Sequence, residues 1–324
     1  MRILIYGAGV IGSIFAGKLA ASGQDITVLA RGKRAEELRK DGVILSVPGA
    51  KKREITRVHV IEKLDPDDRY DYILVVMQRA QVDEVLQILA RNQTKNLVFV
   101  VNTAAGYDPW VEAVGSDRLM LGFPSAGGER RDGKVSYFIG KGLLRAFQTT
   151  TFGEYGGEYS GESGGKKTAR VLQLIRAFRH AGIPSVFCAD MDAWQKTHVV
   201  MITSIANALY AYDCDNYRLS HAYADVRLMV KGIREGFTVL KRLGYGITPA
   251  KLQYFMLPDW LVARVFKVVM GTRLAEITMA KHCIAAKAEL ACLQAEVDAL
   301  VAQSGIATPA MDKLREKGAG GSRA

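Results

Sequence analysis

The first hundred residues alternate between short apolar runs and amphipathic segments. The apolar runs predict five strands, at residues 2–6, 25–30, 43–47, 72–77 and 97–102. Helical periodicity predicts one helix over 11–22, which Gly23 ends, and another over 81–91. This alternation is typical of a doubly wound, mostly parallel sheet covered by helices on both faces, that is, a Rossmann-type α/β domain.

The pattern changes after residue 119. Short strands and turns are predicted over 119–153, with the tightest turn at Arg-Arg-Asp-Gly 130–133, followed by an exposed loop over 156–165 and a helix over 167–180. Further on, helical periodicity dominates: Asp192 is predicted to cap a helix over 194–210, and long amphipathic helices follow over 222–242 and 274–301. We therefore predict a Rossmann-type domain over residues 1–189, an all-α domain over 190–316 and a disordered tail over 317–324.

Composition narrows the classes of function. The four cysteines form no C-x-x-C pair and the five histidines are scattered, so neither a disulfide framework nor a metal site is predicted. No export signal or membrane-length apolar run is visible, and we expect a cytoplasmic protein with no membrane partner. The net charge is +11, and the basic residues are spread along the chain between acidic ones. This pattern favours anionic small ligands over nucleic acid.

A glycine-rich sequence, G-x-G-x-x-G, follows the first predicted strand and opens the first predicted helix. In this context the first glycine permits a tight turn, the second lets the backbone approach a pyrophosphate, and the third lets the helix pack closely on the strand. The alternative is a glycine-rich turn that binds nothing. The predicted cofactor-binding residues of this loop are Gly7, Ala8, Gly9, Val10, Ile11 and Gly12.

The end of the second predicted strand is basic. A cofactor without a 2′-phosphate usually meets Asp or Glu at this point, where its ribose hydroxyls lie. Here the chain has Arg31, Lys33 and Arg34 instead, and Arg31 can bind a phosphate through two parallel hydrogen bonds. The sequence therefore favours NADP(H) over NAD(H), with a solvated basic turn as the alternative.

Several segments resemble the ketopantoate reductase family over nearly the whole chain. They are GAGVIGSIFAGKLAASGQDITVLARG at the start, the turn RRDG, DAWQKTHVVMITSIANAL, and AELACLQAEVDALVAQSGIATP near the end. The resemblance implies an N-terminal Rossmann domain, an all-helical C-terminal domain and an active site in the cleft between them. It also implies reduction of a 2-keto acid to a 2-hydroxy acid by NADPH, as in the conversion of ketopantoate to pantoate in pantothenate biosynthesis.

The resemblance assigns three catalytic roles. Lys196 matches the lysine that donates a proton to the keto oxygen, a role suited to an ammonium because hydride addition builds alkoxide charge. Glu289 matches the glutamate that orients substrate hydroxyls. Asn102 matches the asparagine between nicotinamide and substrate, and is predicted to contact both.

Other positions depart from the family pattern. Met77 and Gln78 are predicted to contact the cofactor, yet the family usually has a lysine where this chain has Gln78, with Arg79 next. At the predicted substrate positions Val200 and Ser204, four and eight residues after Lys196, the family commonly has asparagines.

The family's serine near the substrate carboxylate has its nearest match in Thr278, with a one-residue shift. Replacing several polar partners in a site built for one hydroxyl acid should change its substrate selectivity.

Three hypotheses follow from the sequence. The first is a ketopantoate reductase, in which Arg79 or Thr278 takes the place of polar residues that the family has and this chain lacks. The second is a reductase of another 2-keto acid or ketone, and the third is a non-catalytic NADP(H)-binding sensor or scaffold. The chain is expected to be a monomer or a homodimer.

Overall fold

The computed structural model describes residues 1–49, 53–140, 149–156 and 165–321. It divides into two compact units. The first contains Met1–Val101 and Tyr107–Met191, and the second contains Asn102–Gly106 together with the chain from Asp192 onward. The predicted boundary after residue 189 lies two residues before this division, but no local pattern indicates that the segment Asn102–Gly106 packs with the helical unit.

Among the described residues, the first unit is built on a sheet of eight strands with the order β12-β11-β8-β7-β6-β1-β2-β5, and of these described pairings only β8–β11 is antiparallel. The predicted α/β class is confirmed. The strands of this sheet are β1 Arg2–Tyr6, β2 Asp25–Leu29, β5 His59–Ile61, β6 Tyr72–Val75, β7 Leu97–Val100, β8 Leu119–Phe123, β11 Thr150–Glu154 and β12 Ser185–Phe187.

Both faces of this sheet are buried, which explains the continuous apolar runs. In β1, Ile3 and Ile5 join one hydrophobic cluster, whereas Leu4 and Tyr6 join another on the opposite face, because successive side chains point to opposite sides. The helices of the first unit are α1 Val10–Ala21, α2 Gly32–Asp41, α3 Asp83–Arg91, α4 Asp108–Val114 and α5 Ala169–His180.

A separate four-stranded sheet contains the strand predicted at 43–47. Its order is β4-β3-β10-β9, with strands β3 Val43–Ser46, β4 Glu54–Thr56, β9 Ala126–Arg131 and β10 Lys134–Ile139. The prediction that β3 belongs to the parallel sheet is wrong, because its partners come from residues 54–56 and 134–136. The tight turn at 130–133 is present, with positive φ angles at Asp132 and Gly133.

The second unit is helical. Its helices are α6 Met191–Tyr210, α7 Asn216–His221, α8 Tyr223–Arg242, α9 Asp259–Met270, α10 Arg273–Ala275, α11 Lys281–Ala285, α12 Lys287–Ser304 and α13 Pro309–Gly321. A 3₁₀ segment spans Ala250–Met256, and a π-helical turn spans Glu276–Ala280. No helix among the described residues is both long enough and apolar enough to cross a bilayer.

Three local predictions are corrected here. The helix predicted over 274–301 is interrupted by the π-helical turn, where the Thr278 hydroxyl donates to the Leu274 carbonyl at 2.8 Å, and again at Ala286. Helix α6 begins at Met191, one residue before the predicted cap Asp192. Residues 317–321 are helical instead of disordered, and the Lys317 ammonium lies 2.8 Å from an Asp225 oxygen. Residues 322–324 of the predicted tail lie outside the described residues, and so does most of the loop predicted at 156–165.

Candidate active site

Two of the three glycines in the loop after β1 are required by the fold. A Cβ atom on Gly7 would lie 2.2 Å from the Val76 carbonyl oxygen, and the Gly7 φ of +121° is itself outside the range that other residues favour. A Cβ atom on Gly12 would lie 1.9 Å from the Gly7 carbonyl oxygen. The lack of a side chain at both positions lets the loop, α1 and the residue that follows β6 approach one another closely.

Gly9 differs from both. No atom lies within 4 Å of the position that its Cβ would occupy, and its φ of −69° suits any residue. The fold therefore does not need a glycine here, but it leaves open space in front of the backbone where α1 begins. That space and the unpaired amides of the first helical turn, to which Val10 and Ile11 belong, fit the approach of a pyrophosphate.

The carboxyl ends of β1 and β6 meet beside this loop. The Val76 amide donates to the Tyr6 carbonyl at 2.9 Å, so Met77 and Gln78 follow directly next to the glycines. The chain crosses from one side of β1 to the other between β5 and β6, which makes this edge the topological switch point where open α/β sheets bind ligands.

The three predicted phosphate-binding cations have different environments. Arg31, at the start of α2, and Lys33 are exposed. The Arg34 guanidinium instead donates to Ser13 Oγ at 2.9 Å, to the Gly133 carbonyl at 3.0 Å and to Glu37 at 3.1 Å. Arg34 is therefore used to fix the loop.

A fourth cation joins this group from the hairpin of the second sheet. Arg130 Nη1 donates to the Ala8 carbonyl at 3.2 Å, the same oxygen that Arg34 Nε reaches at 3.4 Å. Burial lowers the pKa of Arg34, and the adjacent Arg130 lowers it further. Two guanidinium groups on one carbonyl, with exposed Arg31 nearby in sequence, make this edge of the loop cationic.

In the second unit, Lys196 is a buried cation with a partner. Its side chain is 3% exposed, and its ammonium pairs with the Asp192 carboxylate one turn earlier on α6. The ammonium also lies 4.5 Å from the centre of the Tyr245 ring. A buried ammonium needs such partners, since an isolated one would lose its charge.

Asn102 and Glu289 lie together although 187 residues separate them. Asn102 Nδ2 donates to Glu289 Oε1 at 3.5 Å. Among the residues that the structure describes, no group donates to the buried Asn102 Oδ1 atom. Burial raises the pKa of the Glu289 carboxyl, and the hydrogen bond from Asn102 partly offsets that rise.

The predicted substrate residues Val200, Ser204 and Thr278 lie in three different environments. Val200 is fully buried against Gly236 of α8, where an added Cβ would lie 2.2 Å from a Val200 methyl group. Ser204 is also buried, and within the described chain its hydroxyl has no hydrogen-bond partner. Thr278 bonds to its own helix. A substrate role for these three residues stays a prediction.

Sequence reasoning missed Asp192 as a partner of Lys196, Tyr245 as its neighbour, and Arg130 as a contact of the glycine loop. The i, i+4 spacing of an acid and a lysine was a visible signal for the first. The other two contacts join residues 49 and 122 positions apart by their numbering, and no local pattern indicates them.

Residues 3–156 match the model of a family described as ketopantoate reductase PanE/ApbA. The predicted resemblance to that family is confirmed. A ketopantoate reductase relative, the 2-dehydropantoate 2-reductase of Halobacterium salinarum, is 25% identical over 259 residues, which cover 78% of this chain and 79% of that protein.

Solved structures share the fold. The 2-dehydropantoate 2-reductase of Geobacter metallireducens superposes with a TM-score of 0.77 at 17% identity and covers 99% of both chains. A D-mandelate dehydrogenase, solved with NADH and anilino(oxo)acetate, superposes with a TM-score of 0.75 at 16% identity and covers 99% of this chain and 98% of its own. At these identities the likeness concerns the fold alone.

Proposed function

We propose that this protein is an NADPH-dependent reductase that converts a 2-keto acid into the corresponding 2-hydroxy acid. The observation that carries the proposal is that the buried Lys196 is paired with Asp192, in a chain whose glycine loop is left open at Gly9. The relatives support the class of substrate, since 2-dehydropantoate is a 2-keto acid and mandelate is a 2-hydroxy acid.

The dinucleotide would be held by the first unit. Gly9 and the amides that open α1 would take the pyrophosphate, and Arg31 would take a 2′-phosphate, with Arg130 adding positive charge at the same loop. The five residues that follow β2, at 30–34, include three cations and no carboxylate, which favours a 2′-phosphate. A bound reduced nicotinamide supplies the hydride that the carbonyl carbon accepts.

Lys196 supplies the proton. As the carbonyl carbon is reduced, negative charge develops on the carbonyl oxygen, and an ammonium stabilises that charge before transferring a proton from Nζ to the oxygen. The Asp192 carboxylate pairs with this ammonium and limits the directions in which it can point. The lysine then regains its proton from solvent.

Glu289 and Asn102 would orient the substrate. A carboxylate accepts hydrogen bonds from substrate hydroxyls, and the buried Asn102 Oδ1 atom is an acceptor that suits an amide or hydroxyl donor of the bound ligands. The contact between Asn102 Nδ2 and Glu289 keeps the two acceptors adjacent.

The favoured substrate is a 2-keto acid other than ketopantoate. Arg79, a candidate to replace the family lysine, donates to Asp83 at 3.1 Å and lies over the Trp110 ring at 5.8 Å. Thr278, a candidate to replace the family serine, bonds within its helix. Both substitutes are thus engaged elsewhere, and the polar pattern that selects ketopantoate is not rebuilt by them.

The test is to follow NADPH consumption by purified protein with ketopantoate and a panel of aliphatic and aromatic 2-keto acids. We expect turnover of at least one acid and a preference for one that is not ketopantoate. Preference for ketopantoate would overturn the substrate proposal alone. Tight NADPH binding without turnover of any acid would favour the non-catalytic binder.

Cofactor preference is expected to depend on Arg31. Replacement by alanine removes a charge-assisted hydrogen-bond pair to the 2′-phosphate, and should lower the ratio of kcat/KM for NADPH to kcat/KM for NADH by roughly tenfold to a hundredfold. Lys40→Ala, an exposed cation in the last turn of the same helix, is the matched control and should leave the ratio unchanged. An unchanged ratio in Arg31→Ala would contradict the NADPH proposal.

The pH dependence is expected to report Glu289. Because burial raises its pKa, the carboxylate takes up a proton at a higher pH than an exposed glutamate would. If the ionised form orients the substrate, kcat/KM should fall as pH drops through that raised pKa, and Glu289→Gln should abolish the acidic limb. Glu276→Gln is the control and should keep the acidic limb, since hydrogen bonds from Lys281 and Tyr217 lower the pKa of Glu276. An acidic limb that persists in Glu289→Gln would mean that another group titrates.

A further inference from the structure

Glu296 is a carboxylate for which the proposed chemistry has no use. It lies on α12 seven residues after Glu289, so two helical turns place both side chains on one face of the helix. Glu289 contacts Asn102, and Glu296 contacts the residues that follow Asn102 in the chain. The same helix therefore meets the same short segment at two successive points.

The contacts of Glu296 are specific. The Thr103 hydroxyl donates to both carboxylate oxygens of Glu296, to Oε2 at 3.1 Å and to Oε1 at 3.3 Å. The Ala104 amide also donates to Glu296 Oε2. The Thr103 hydroxyl also accepts from the Ala105 amide at 3.1 Å. Hydrogen bonds from a hydroxyl and a main-chain amide to a carboxylate are stronger than neutral ones, and here they fix main-chain positions as well as a side chain.

The segment itself is buried where Glu296 holds it. Thr103 and Ala104 are each 1% exposed. Buried amide and hydroxyl groups need partners, and Glu296 supplies one to each of them. Without that carboxylate the segment would have to move or leave these groups unsatisfied.

We infer that Glu296 is a positioning residue, which fixes residues 103–104 on α12 and thereby sets the place of Asn102 beside Glu289. This inference rests on the proposed function for its effect on turnover, but not for its effect on the structure. Glu296 acts through Asn102, since its carboxylate accepts hydrogen bonds from the two residues that follow Asn102 in the chain. Misplacing a catalytic group by about 1 Å can cost two orders of magnitude in rate.

The structural part is tested by hydrogen–deuterium exchange, which needs no substrate. In Glu296→Ala, peptides that cover 102–106 should exchange faster than in the wild type. Asp298→Ala is the matched control: Asp298 lies on the same helix and pairs with Arg315 at 2.8 Å, so its loss should leave exchange over 102–106 unchanged. Unchanged exchange in Glu296→Ala would overturn the inference.

The functional part is tested by a double-mutant cycle. Glu296→Ala should lower kcat by roughly 10- to 100-fold in the wild type but by less than about threefold in an Asn102→Ala background, because the two residues act in series. Equal losses in both backgrounds would overturn the inference. Thr103→Val should show part of the same loss in kcat. Thr103→Ser, which keeps the hydroxyl, should keep kcat near the wild-type value.

The two measurements separate two failures. If the wild type turns over no 2-keto acid while Glu296→Ala still accelerates exchange over 102–106, the proposed function fails and the positioning contact stands. If the wild type is active and Glu296→Ala leaves exchange over 102–106 unchanged, the positioning contact fails and the proposed function stands.

Discussion

Replacing Lys196 by methionine should lower kcat by about 10²- to 10⁴-fold while leaving the affinity for NADPH within a few fold of the wild type. The reason is that general acid catalysis contributes about this much, and the variant keeps the hydrophobic stem but loses the proton donor. Methionine suits a side chain that is 3% exposed, since it fills the same space. The measurements are steady-state turnover with the preferred 2-keto acid and an NADPH titration in the absence of substrate.

The control for this variant is another lysine paired with a carboxylate. Lys281 lies 3.3 Å from Glu276, and its side chain is 63% exposed. Lys281→Met removes the same charge from the same unit and should leave kcat unchanged. Full turnover in Lys196→Met would show that another group, or solvent, protonates the product.

Replacing Gly12 by alanine should destabilise the first unit by about 3 kcal/mol. The added Cβ would lie 1.9 Å from the Gly7 carbonyl oxygen and 3.2 Å from a methyl group of Ile5. Neither the main chain of the loop nor the buried strand β1 can move away without a large cost in free energy. The measurement is the midpoint of urea unfolding. An unchanged midpoint would mean that the helix and the strand are less closely packed than the structure shows.

Gly9 provides the opposite case in the same loop. Alanine at Gly9 meets no atom within 4 Å, so Gly9→Ala should leave the urea midpoint nearly unchanged. It should nevertheless weaken NADPH binding about tenfold or more, because the methyl group occupies the space through which the pyrophosphate approaches the backbone. Unaltered NADPH affinity in Gly9→Ala would contradict the placement of the cofactor.

The fold was predictable where a segment is buried in a simple way. β1 and α1 are apolar and closely follow the predicted bounds, because both pack into the core of the first unit. Helix α2 was missed because its sequence GKRAEELRKD has only Ala35 and Leu38 buried, so its apolar periodicity is faint. β3 has the composition of a sheet strand, but nothing local tells which sheet it joins.

The site was predictable only in part, for a different reason. The glycine loop is a local pattern, and Lys196 was identified through the family resemblance. The contact between Asn102 and Glu289, and that between Thr103 and Glu296, join residues almost two hundred positions apart. Only the folded chain shows that Asn102 and Thr103 meet α12 at two points, Glu289 and Glu296, which lie two helical turns apart.

Isotope transfer from the cofactor tests whether this chain reduces a 2-keto acid by hydride transfer. The wild type would be incubated with NADPH deuterated at the transferable C4 position and the preferred 2-keto acid, and the product would be analysed by mass spectrometry. Hydride transfer predicts one deuterium on the carbinol carbon of the 2-hydroxy acid, with its appearance slowed strongly in Lys196→Met. Product without deuterium, or no product from any 2-keto acid despite NADPH binding, would contradict it.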